Sequence, residues 1–433
     1  MKKKITWLLF KLLTNLKTAI VLLLLIASFS IVGTIIEQDK SLEFYQFHYS
    51  SVSPLFGIAL WQFIKLFGID HIYTSLWFLV LLLLFSLSLA SCTFSIQFPL
   101  LKISKQWYFY KYQYQFNRLN LTRTLRKIPI SICISNLNKI NYSVFQQKKK
   151  LYGYKGLLGR LSPIIVHLSI ILILSGTIIS IFTSFVCQQI VPRGEVFHLQ
   201  NLTVSKYFSF IPQNTIGKVH NFWIDYNTDG SISQFFSDIE LQNSNGELLQ
   251  RKTISVNTPL IYKNLSIYQT DWNIVSVQLK LGNNILQLPC NFVQSDNSSR
   301  LWTVYLPITS SLDRGYIFII SGAHKILFAY NLKGELLFSI LLNQLFYLHN
   351  VPIIFLDIFT STGLQIKSDF GIPVIYFGFL LLIISIIFSY INYCQLWFSL
   401  TPLFLLVGGN TNRSFLNFEE DLWFIENSVN KYL

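Results

Sequence analysis

The chain of 433 residues is 52% hydrophobic and only 12% charged, and its 34 Lys and Arg against 20 Asp and Glu give a net charge of +14. A soluble domain averages roughly 25% charged residues, so this composition excludes an ordinary soluble globular protein. It also excludes a disordered chain, which is poor in hydrophobic residues. A basic chain can indicate nucleic-acid binding or the orientation of a membrane protein, and the positions of the charges distinguish the two.

Four apolar stretches are long enough to cross a bilayer as helices. About 20 apolar residues span the hydrocarbon core, and each stretch lacks Asp, Glu, Lys and Arg. The predicted spans are residues 18–36, 75–96, 162–185 and 371–393. A further segment, residues 52–68, is shorter and contains Pro54 and Lys65, so we expect an interfacial amphipathic helix there rather than a re-entrant or spanning segment.

The charges outside these spans are distributed unevenly. Residues 1–17 contain five Lys and residues 97–161 contain thirteen Lys and Arg, and neither segment has an acidic residue. Positive charge concentrates in cytoplasmic loops, so we expect both segments to face the cytoplasm or stroma. The loop 37–74 and the domain 186–370 then face the opposite compartment, and the tail 394–433 returns to the stromal side.

The basic loop 97–161 is interleaved with aromatic residues, among them Trp107 and Tyr108. Such a combination can bind RNA by phosphate pairing and base stacking. Beside two spans it is explained more simply by orientation and by contact with anionic lipid headgroups. We therefore expect membrane lipids, and no nucleic acid, as partners of this loop.

Residues 186–370 have the pattern of a β-rich domain. Runs of strand composition and length occur at 219–226, 234–241, 247–256, 266–272 and 275–281. Two-residue turn signals lie at Asn245–Gly246 and Asp229–Gly230, with a weaker one at Asn283–Asn284. We predict an α-helical membrane protein with about four transmembrane helices and a large β-rich, sandwich-like extracytoplasmic domain.

Few residues indicate chemistry. Only Cys187 and Cys290 lie in the predicted extracytoplasmic domain, without a CxxC motif. They form a disulfide, act as a redox pair or remain two buried thiols.

His167 lies inside the third span, where an ionisable side chain is costly and therefore indicates a functional site. A neutral imidazole ligates metals, including haem iron, although a hydrogen bond to a neighbouring helix is the plainer role. His71, before the second span, is either a second ligand or an interfacial residue.

Hydrolase, metalloprotease and nucleotide-binding signatures are absent from the sequence. A chain with four spans, a β-rich domain and no catalytic signature is typical of a subunit such as an assembly factor. We therefore do not expect it to be catalytic alone.

Several stretches together resemble the ResB/CcsB family of system II cytochrome c biogenesis, in its plastid and cyanobacterial branch. They follow one another along nearly the whole chain as IVGTIIEQ, FGIDHIYTSLWF, GRLSPIIVHLS, FWIDYNTDGSISQFFSDIEL, LSIYQTDW and SDFGIPVIYFGF. The resemblance implies a complex with a CcsA/ResC-type multispan protein that carries a Trp-rich haem-handling motif. Together the two chains would deliver haem to the CxxCH cysteines of apocytochrome c on the lumenal side of the thylakoid membrane.

The resemblance also implies roles for particular residues. In its GRLSPIIVHLS context, His167 matches the family's intramembrane haem ligand, with haem held transiently and the second ligand supplied by the partner. His71 lies in a matching segment without an assigned role. Candidate contacts with the partner or apocytochrome, from the matching segments, are Trp223, Asp225, Tyr268, Gln269 and Trp272. An alternative function is a membrane scaffold that holds apocytochrome c, possibly reduced through Cys187 and Cys290, for a haem-handling partner.

Overall fold

The computed structural model describes residues 2–50, 59–110, 112–228, 231–294, 300–307, 315–321, 326–348 and 351–430. The chain divides into two compact units. The first unit combines residues 1–179 with residues 371–433, and the second comprises residues 180–370.

The α-helices, in chain order, are α1 (Lys2–Leu13), α2 (Leu16–Ile35), α3 (Leu42–His48), α4 (Leu60–Leu66), α5 (Leu76–Cys92), α6 (Phe98–Ser104), α7 (Ile130–Lys139), α8 (Leu158–Thr183), α9 (Gly371–Ser389) and α10 (Phe415–Asn430). A 3₁₀ helix covers Ile69–Thr74, and a second one covers Gln113–Arg118. A π-helical turn, Thr93–Gln97, joins α5 to α6.

Four helical segments of the described chain are long and apolar enough to cross a membrane, which confirms the four predicted spans. They are α2, the segment Leu76–Ser104 that combines α5, the π-turn and α6, α8, and α9. The second segment extends eight residues beyond the predicted end at 96, because the π-turn continues the helix instead of ending it. The predicted interfacial helix 52–68 falls partly outside the described residues, and α4 occupies its second half.

Small residues repeat at every seventh position on the facing sides of α8 and α9. They are Ser162, Ser169 and Gly176 on α8, and Gly371, Gly378 and Ser385 on α9, all of them buried. Ser162 Oγ donates a hydrogen bond of 2.6 Å to the carbonyl of Ser385. A Cβ atom on Gly378 would lie 3.2 Å from the carbonyl oxygen of Ser169. Small side chains thus allow these two spans to pack closely, and we call this contact the small-residue seam.

The strands, in chain order, are β1 (Leu121–Arg126), β2 (Ser143–Gln147), β3 (Lys150–Lys155), β4 (Phe185–Pro192), β5 (Val196–Phe197), β6 (Leu202–Ser205), β7 (Thr215–Tyr226), β8 (Ile232–Asn243), β9 (Leu248–Ser255), β10 (Leu260–Tyr262), β11 (Leu265–Leu281), β12 (Asn284–Pro289), β13 (Asn291–Gln294), β14 (Arg300–Pro307), β15 (Gly315–Ser321), β16 (Ile326–Tyr330), β17 (Leu336–Leu341), β18 (Leu345–Leu348), β19 (Val351–Ser368), β20 (Cys394–Leu400) and β21 (Phe404–Thr411).

The first unit contains a β-sheet that the sequence did not predict. The parts of segments 97–161 and 394–433 that lie outside the spans form one domain, the sheet domain, around an antiparallel sheet in the order β1-β21-β20-β3-β2. Helices α7 and α10 pack against it through Leu137, Phe418 and Ile425, which are fully buried. Because both segments contribute to one sheet, they lie on the same side of a bilayer that α8 and α9 cross.

Ion pairs join the two segments of this sheet domain. Arg123 lies 2.5 Å from Glu426 and 3.3 Å from Glu419, and Lys155 lies 3.3 Å from Asp421. Such half-exposed pairs contribute less than about 1 kcal/mol each. They nevertheless show that the acidic residues of the tail compensate part of the positive charge of segment 97–161.

The second unit is built on the long antiparallel pair β11–β19, which extends from Leu265↔Ser368 to Leu281↔Ile353. One half of this pair packs on the sheet β5-β7-β8-β9, around a core that includes Ile267 and Ile366. The other half packs on the sheet β13-β14-β15-β16-β17 around a separate core. The β-rich, sandwich-like prediction is therefore confirmed, and the unit has two cores.

Of the three predicted hairpin turns, one is confirmed, one is displaced by one residue and one lies outside the described residues. Gly246, at φ +81°, lies in the turn between β8 and β9, as predicted. The turn predicted at Asn283–Asn284 is wrong by one residue, because Leu281 pairs with Asn284. Gly282 takes the first central position with φ +58°, which glycine adopts without steric cost. The signal at Asp229–Gly230 lies outside the described residues.

We predict that Gly378→Leu destabilises the first unit, because the added side chain would meet the backbone of Ile173 and Ser169. Overpacking of this kind costs about 1–3 kcal/mol, so the midpoint of thermal unfolding in detergent should fall. Ile383→Leu, at an exposed position of α9, serves as the control and should leave the midpoint unchanged. Equal midpoints for the two variants would contradict close packing at the small-residue seam.

Candidate functional site

His167 lies half-buried on α8 and forms two hydrogen bonds across to the second span. Its Nδ1 lies 2.9 Å from Thr93 Oγ1, and its Nε2 lies 3.1 Å from Gln97 Nε2. Thr93 Oγ1 also donates to the carbonyl of Leu89 at 2.8 Å. Since a hydroxyl has one hydrogen, Thr93 must accept from an Nδ1–H of His167. The neutral ring then carries its lone pair on Nε2, facing the amide of Gln97.

The π-turn places both partners of His167 on one side of the helix. Thr93 and Gln97 are four residues apart, and the N–H of Phe98 bonds to the carbonyl of Thr93, five residues earlier. Such turns are frequent at functional sites. The Oε1 atom of Gln97 is buried without a hydrogen-bond partner among the described residues. Gln97 therefore holds the ring by one bond and is the partner that an incoming ligand can displace.

This arrangement fits a histidine that ligates a metal. Metal-ligating imidazoles donate from one ring nitrogen to a fixed acceptor, which orients the other nitrogen toward the metal. Within the described part of the chain, no cluster of three or more His, Cys, Asp or Glu has the geometry to hold a metal ion. A single imidazole ligand suits haem iron, whose macrocycle supplies four further nitrogens, and does not suit a zinc site, which takes three or four protein ligands.

His71 occupies a different place in the unit. Its Nδ1 lies 2.9 Å from Asp70 Oδ1, and Lys65 Nζ lies 2.8 Å from Asp70 Oδ2. The helix from Leu76 to Thr93 separates His71 from the His167 site by about 25 Å at 1.5 Å per residue. The two histidines therefore do not ligate one metal ion within this chain. His71 donates a hydrogen bond to the buried carboxylate of Asp70, whose charge is paired with Lys65.

Trp223 and Asp225 are exposed on β7 of the second unit. Trp223 is 37% exposed and stacks on Phe236, with ring centres 5.4 Å apart. Its side of the strand borders a cleft of about 250 Å³ that also contains Arg193 and Asp357, which form an ion pair of 2.5 Å. These two candidates are accessible to a macromolecular partner.

The candidates on β11 are less accessible. Trp272 is buried in the core beside Trp302, at a ring separation of 5.0 Å. Gln269 is only 7% exposed, and neither polar atom of its amide has a partner among the described residues. Tyr268 is half-buried, with Lys367 Nζ 4.5 Å from its ring centre. Trp272 and Gln269 are therefore interior residues of the second unit.

Cys187 and Cys290 are free thiols in different cores of the second unit. Cys187 is fully buried in the core beside Ile366, and Cys290 packs against the core that includes Trp302. Burial raises the pKa of both thiols, that of Cys290 to about 12. This environment does not favour the thiolate that a redox cysteine needs.

The sequence interpretation missed Thr93 and Gln97. The pattern that could have indicated them is CTFSIQ, in which two residues with hydrogen-bonding side chains lie four positions apart at the end of the second apolar stretch. It also missed Arg160, which precedes His167 by seven residues in the GRLSPIIVH motif.

Comparison with known proteins identifies relatives along nearly the whole chain. The model of the ResB-like family matches residues 16–301 and 324–423. The chain is 45% identical over 431 residues to the cytochrome c biogenesis protein Ccs1 of Porphyra purpurea, covering 99% of this chain and 98% of that protein. It is 42% identical to the protein of that name from Phaeodactylum tricornutum, covering 95% and 97%. The cytochrome c biogenesis protein CcsB of a Picosynechococcus species is 39% identical, covering 97% and 91%.

We predict that Cys187 and Cys290 react slowly with maleimide at about pH 8 in the folded chain, because burial keeps both thiols protonated. Both should react rapidly after denaturation, which mass spectrometry of tryptic peptides can follow. Tyr207→Cys, at an exposed position, provides the fast-reacting control. Rapid labelling of Cys290, or a disulfide on a non-reducing gel, would restore the thiol-redox hypothesis.

Proposed function

The chain belongs to the ResB-like family, whose relatives here are cytochrome c biogenesis proteins, and we propose that in this process it holds haem at His167 for transfer to apocytochrome c. Its role in cytochrome c biogenesis follows from family membership over nearly the whole chain. The handling of haem is supported by one observation above all. Inside an apolar bundle, a neutral imidazole is fixed at Nδ1 and presents Nε2 to a displaceable partner.

Each residue of the site has a role in the proposed haem binding. When bound, haem would supply an iron that a neutral imidazole can ligate. His167 Nε2 would hold this iron in place of its contact with Gln97, and Thr93 keeps the ring in the required tautomer. His167 is the one histidine within the four described spans. A second ligand would come from a partner, which we propose to be a CcsA/ResC-type multispan protein.

The charge distribution and the sheet domain support a defined orientation. We propose that the N-terminus and the sheet domain face the stroma, and that the second unit faces the thylakoid lumen. Eighteen basic residues without an acidic one lie in segments 1–17 and 97–161, in accord with the positive-inside rule. The relatives from red algae, diatoms and cyanobacteria support the thylakoid membrane as the location of the chain.

A scaffold role for the second unit is compatible with haem binding by the first. The exposed ring of Trp223, beside the cleft at Arg193 and Asp357, favours this unit as the surface that holds apocytochrome c. Crosslinking from position 223 to an apocytochrome peptide would support the role. If the peptide crosslinks equally from Leu248, an exposed residue on β9, the contact is not specific to the cleft.

We predict that His167→Ala abolishes copurification of haem with the chain and its partner, and stops assembly of c-type cytochromes. His167→Gly should recover haem when imidazole is added, because the free ring replaces the missing ligand. Leu168→Ala, at the adjacent exposed position, is the control. Unchanged haem content in His167→Ala would contradict the proposal.

We predict that Thr93→Val weakens haem retention by about tenfold, because the ring loses one hydrogen bond. Thr93→Ser keeps the hydroxyl and should restore the retention of haem.

Orientation can be tested with single cysteines at exposed sites. We predict that Trp107→Cys and Leu403→Cys react with an impermeant maleimide from the same face of sealed membranes, because both belong to the sheet domain. Tyr207→Cys, in the second unit, should react only from the opposite face. Labelling of all three from one face would contradict the proposed topology.

A further inference from the structure

Helix α8 presents two different faces, each with a seven-residue repeat. The small-residue seam occupies one face, toward α9. Seven residues make almost two helical turns, so Arg160, His167 and Leu174 share another face, about half a turn away from the seam. Leu174 packs against the cluster around Phe78 and Leu82 on α5, and His167 bonds to the π-turn that follows α5. This face of α8 is therefore turned toward the second span.

Arg160 carries the one charge of α8, and this charge has no partner among the described residues. Its Nε is buried and has no hydrogen-bond partner among the described residues. The structure also gives it no ion pair within the described chain. Its guanidinium carbon lies 5.1 Å from the ring centre of Tyr393. A cation–π contact of this kind orients the guanidinium without satisfying its hydrogen-bond donors.

Two positions of the second span, Gln97 and Ser104, lie beside His167 and Arg160 respectively. Gln97 contacts His167, and Ser104, seven residues later, accepts a hydrogen bond of 3.1 Å from the hydroxyl of Tyr393, the ring beneath Arg160. At 1.5 Å per residue, the Cα atoms of Arg160 and His167 are about 10 Å apart along α8. The face thus places the Nε2 atom of His167 and the guanidinium of Arg160 on one side of one span.

We propose that Arg160 binds a carboxylate of the ligand whose iron His167 ligates, namely a propionate of haem; this inference rests on the proposed function. Haem carries its two propionates on one edge of the macrocycle, away from the iron. A guanidinium with free donors pairs with a carboxylate in a bidentate geometry. Anchoring the carboxylates at Arg160 fixes which edge of the ring faces the first turn of α8.

The test compares haem with haem dimethyl ester, which lacks the carboxylates but keeps the iron and the ring. The full chain in lipid nanodiscs is titrated with each compound. We expect the wild-type chain to bind haem at least about tenfold more tightly than the ester, the value for one charge-assisted hydrogen bond. Arg160→Gln should abolish this preference, and Arg160→Lys should retain part of it.

Lys155→Gln is the matched control, because it removes one positive charge from a lysine that already has a partner, Asp421. It should keep the wild-type preference for haem. Equal binding of haem and ester by the wild-type chain, or a preference that persists in Arg160→Gln, would overturn the inference. The wild-type comparison requires no substitution, so misfolding of a variant does not affect it.

The outcomes separate this inference from the proposed function. If His167→Ala loses both compounds while the wild-type chain does not distinguish them, haem ligation stands and the role of Arg160 is wrong. If His167→Ala binds both compounds as the wild-type chain does, the proposed function fails, and the assignment of Arg160 to a haem propionate fails with it.

Discussion

The structure of the membrane unit depends on the requirement that polar side chains inside apolar spans find hydrogen-bond partners. Water is absent from the bilayer core, so an imidazole there must be satisfied by other helices. His167 meets this requirement through Thr93 and Gln97, and the two bonds are not equivalent. The Thr93 bond belongs to a chain that ends at the carbonyl of Leu89. The Gln97 bond is a single contact made by an amide whose oxygen has no partner among the described residues.

The small-residue seam determines which face of α8 can serve this purpose. Ser162, Ser169 and Gly176 hold α8 against α9, so the face with Arg160 and His167 is turned toward the segment Leu76–Ser104. A helix that packs on two sides at nearly opposite faces has little freedom to rotate. The seam therefore positions the imidazole, although none of its residues contacts the ring.

The sequence predicted the parts of the fold that depend on local patterns. Uncharged apolar runs predicted the spans, and strand composition predicted β7, β8 and β9. The runs predicted as two strands at 266–272 and 275–281 form the single strand β11. The sheet domain could not be predicted, because its strands pair residues far apart in the chain, such as Lys155 with Cys394 and Leu121 with Gly409. In addition, β1, with the sequence LTRTLR, has no recognisable pattern alone. The Gly408–Gly409 pair illustrates the point. It lies in β21, where a Cβ on Gly409 would meet the ring of Phe418 at 2.2 Å, a constraint that only the folded chain reveals.

The sequence predicted the histidine of the candidate site but not the residues that form hydrogen bonds with it. His167 was identified because an ionisable residue in a span is costly, whereas Thr93 and Gln97 required knowledge of which helix packs on α8. Burial likewise decided that Trp272 belongs to the core and Trp223 to the surface, since both rings lie in strands of similar composition.

His167 presents an unprotonated Nε2, because its Nδ1–H donates a hydrogen bond to the hydroxyl oxygen of Thr93. Solid-state NMR of the haem-free chain in lipid bilayers, with ¹⁵N-labelled histidine, measures the tautomer directly, and Thr93→Val assigns the signal. We expect a neutral ring protonated at Nδ1, whose signal changes in Thr93→Val. A ring protonated at Nε2, or a doubly protonated imidazolium at neutral pH, would contradict the account.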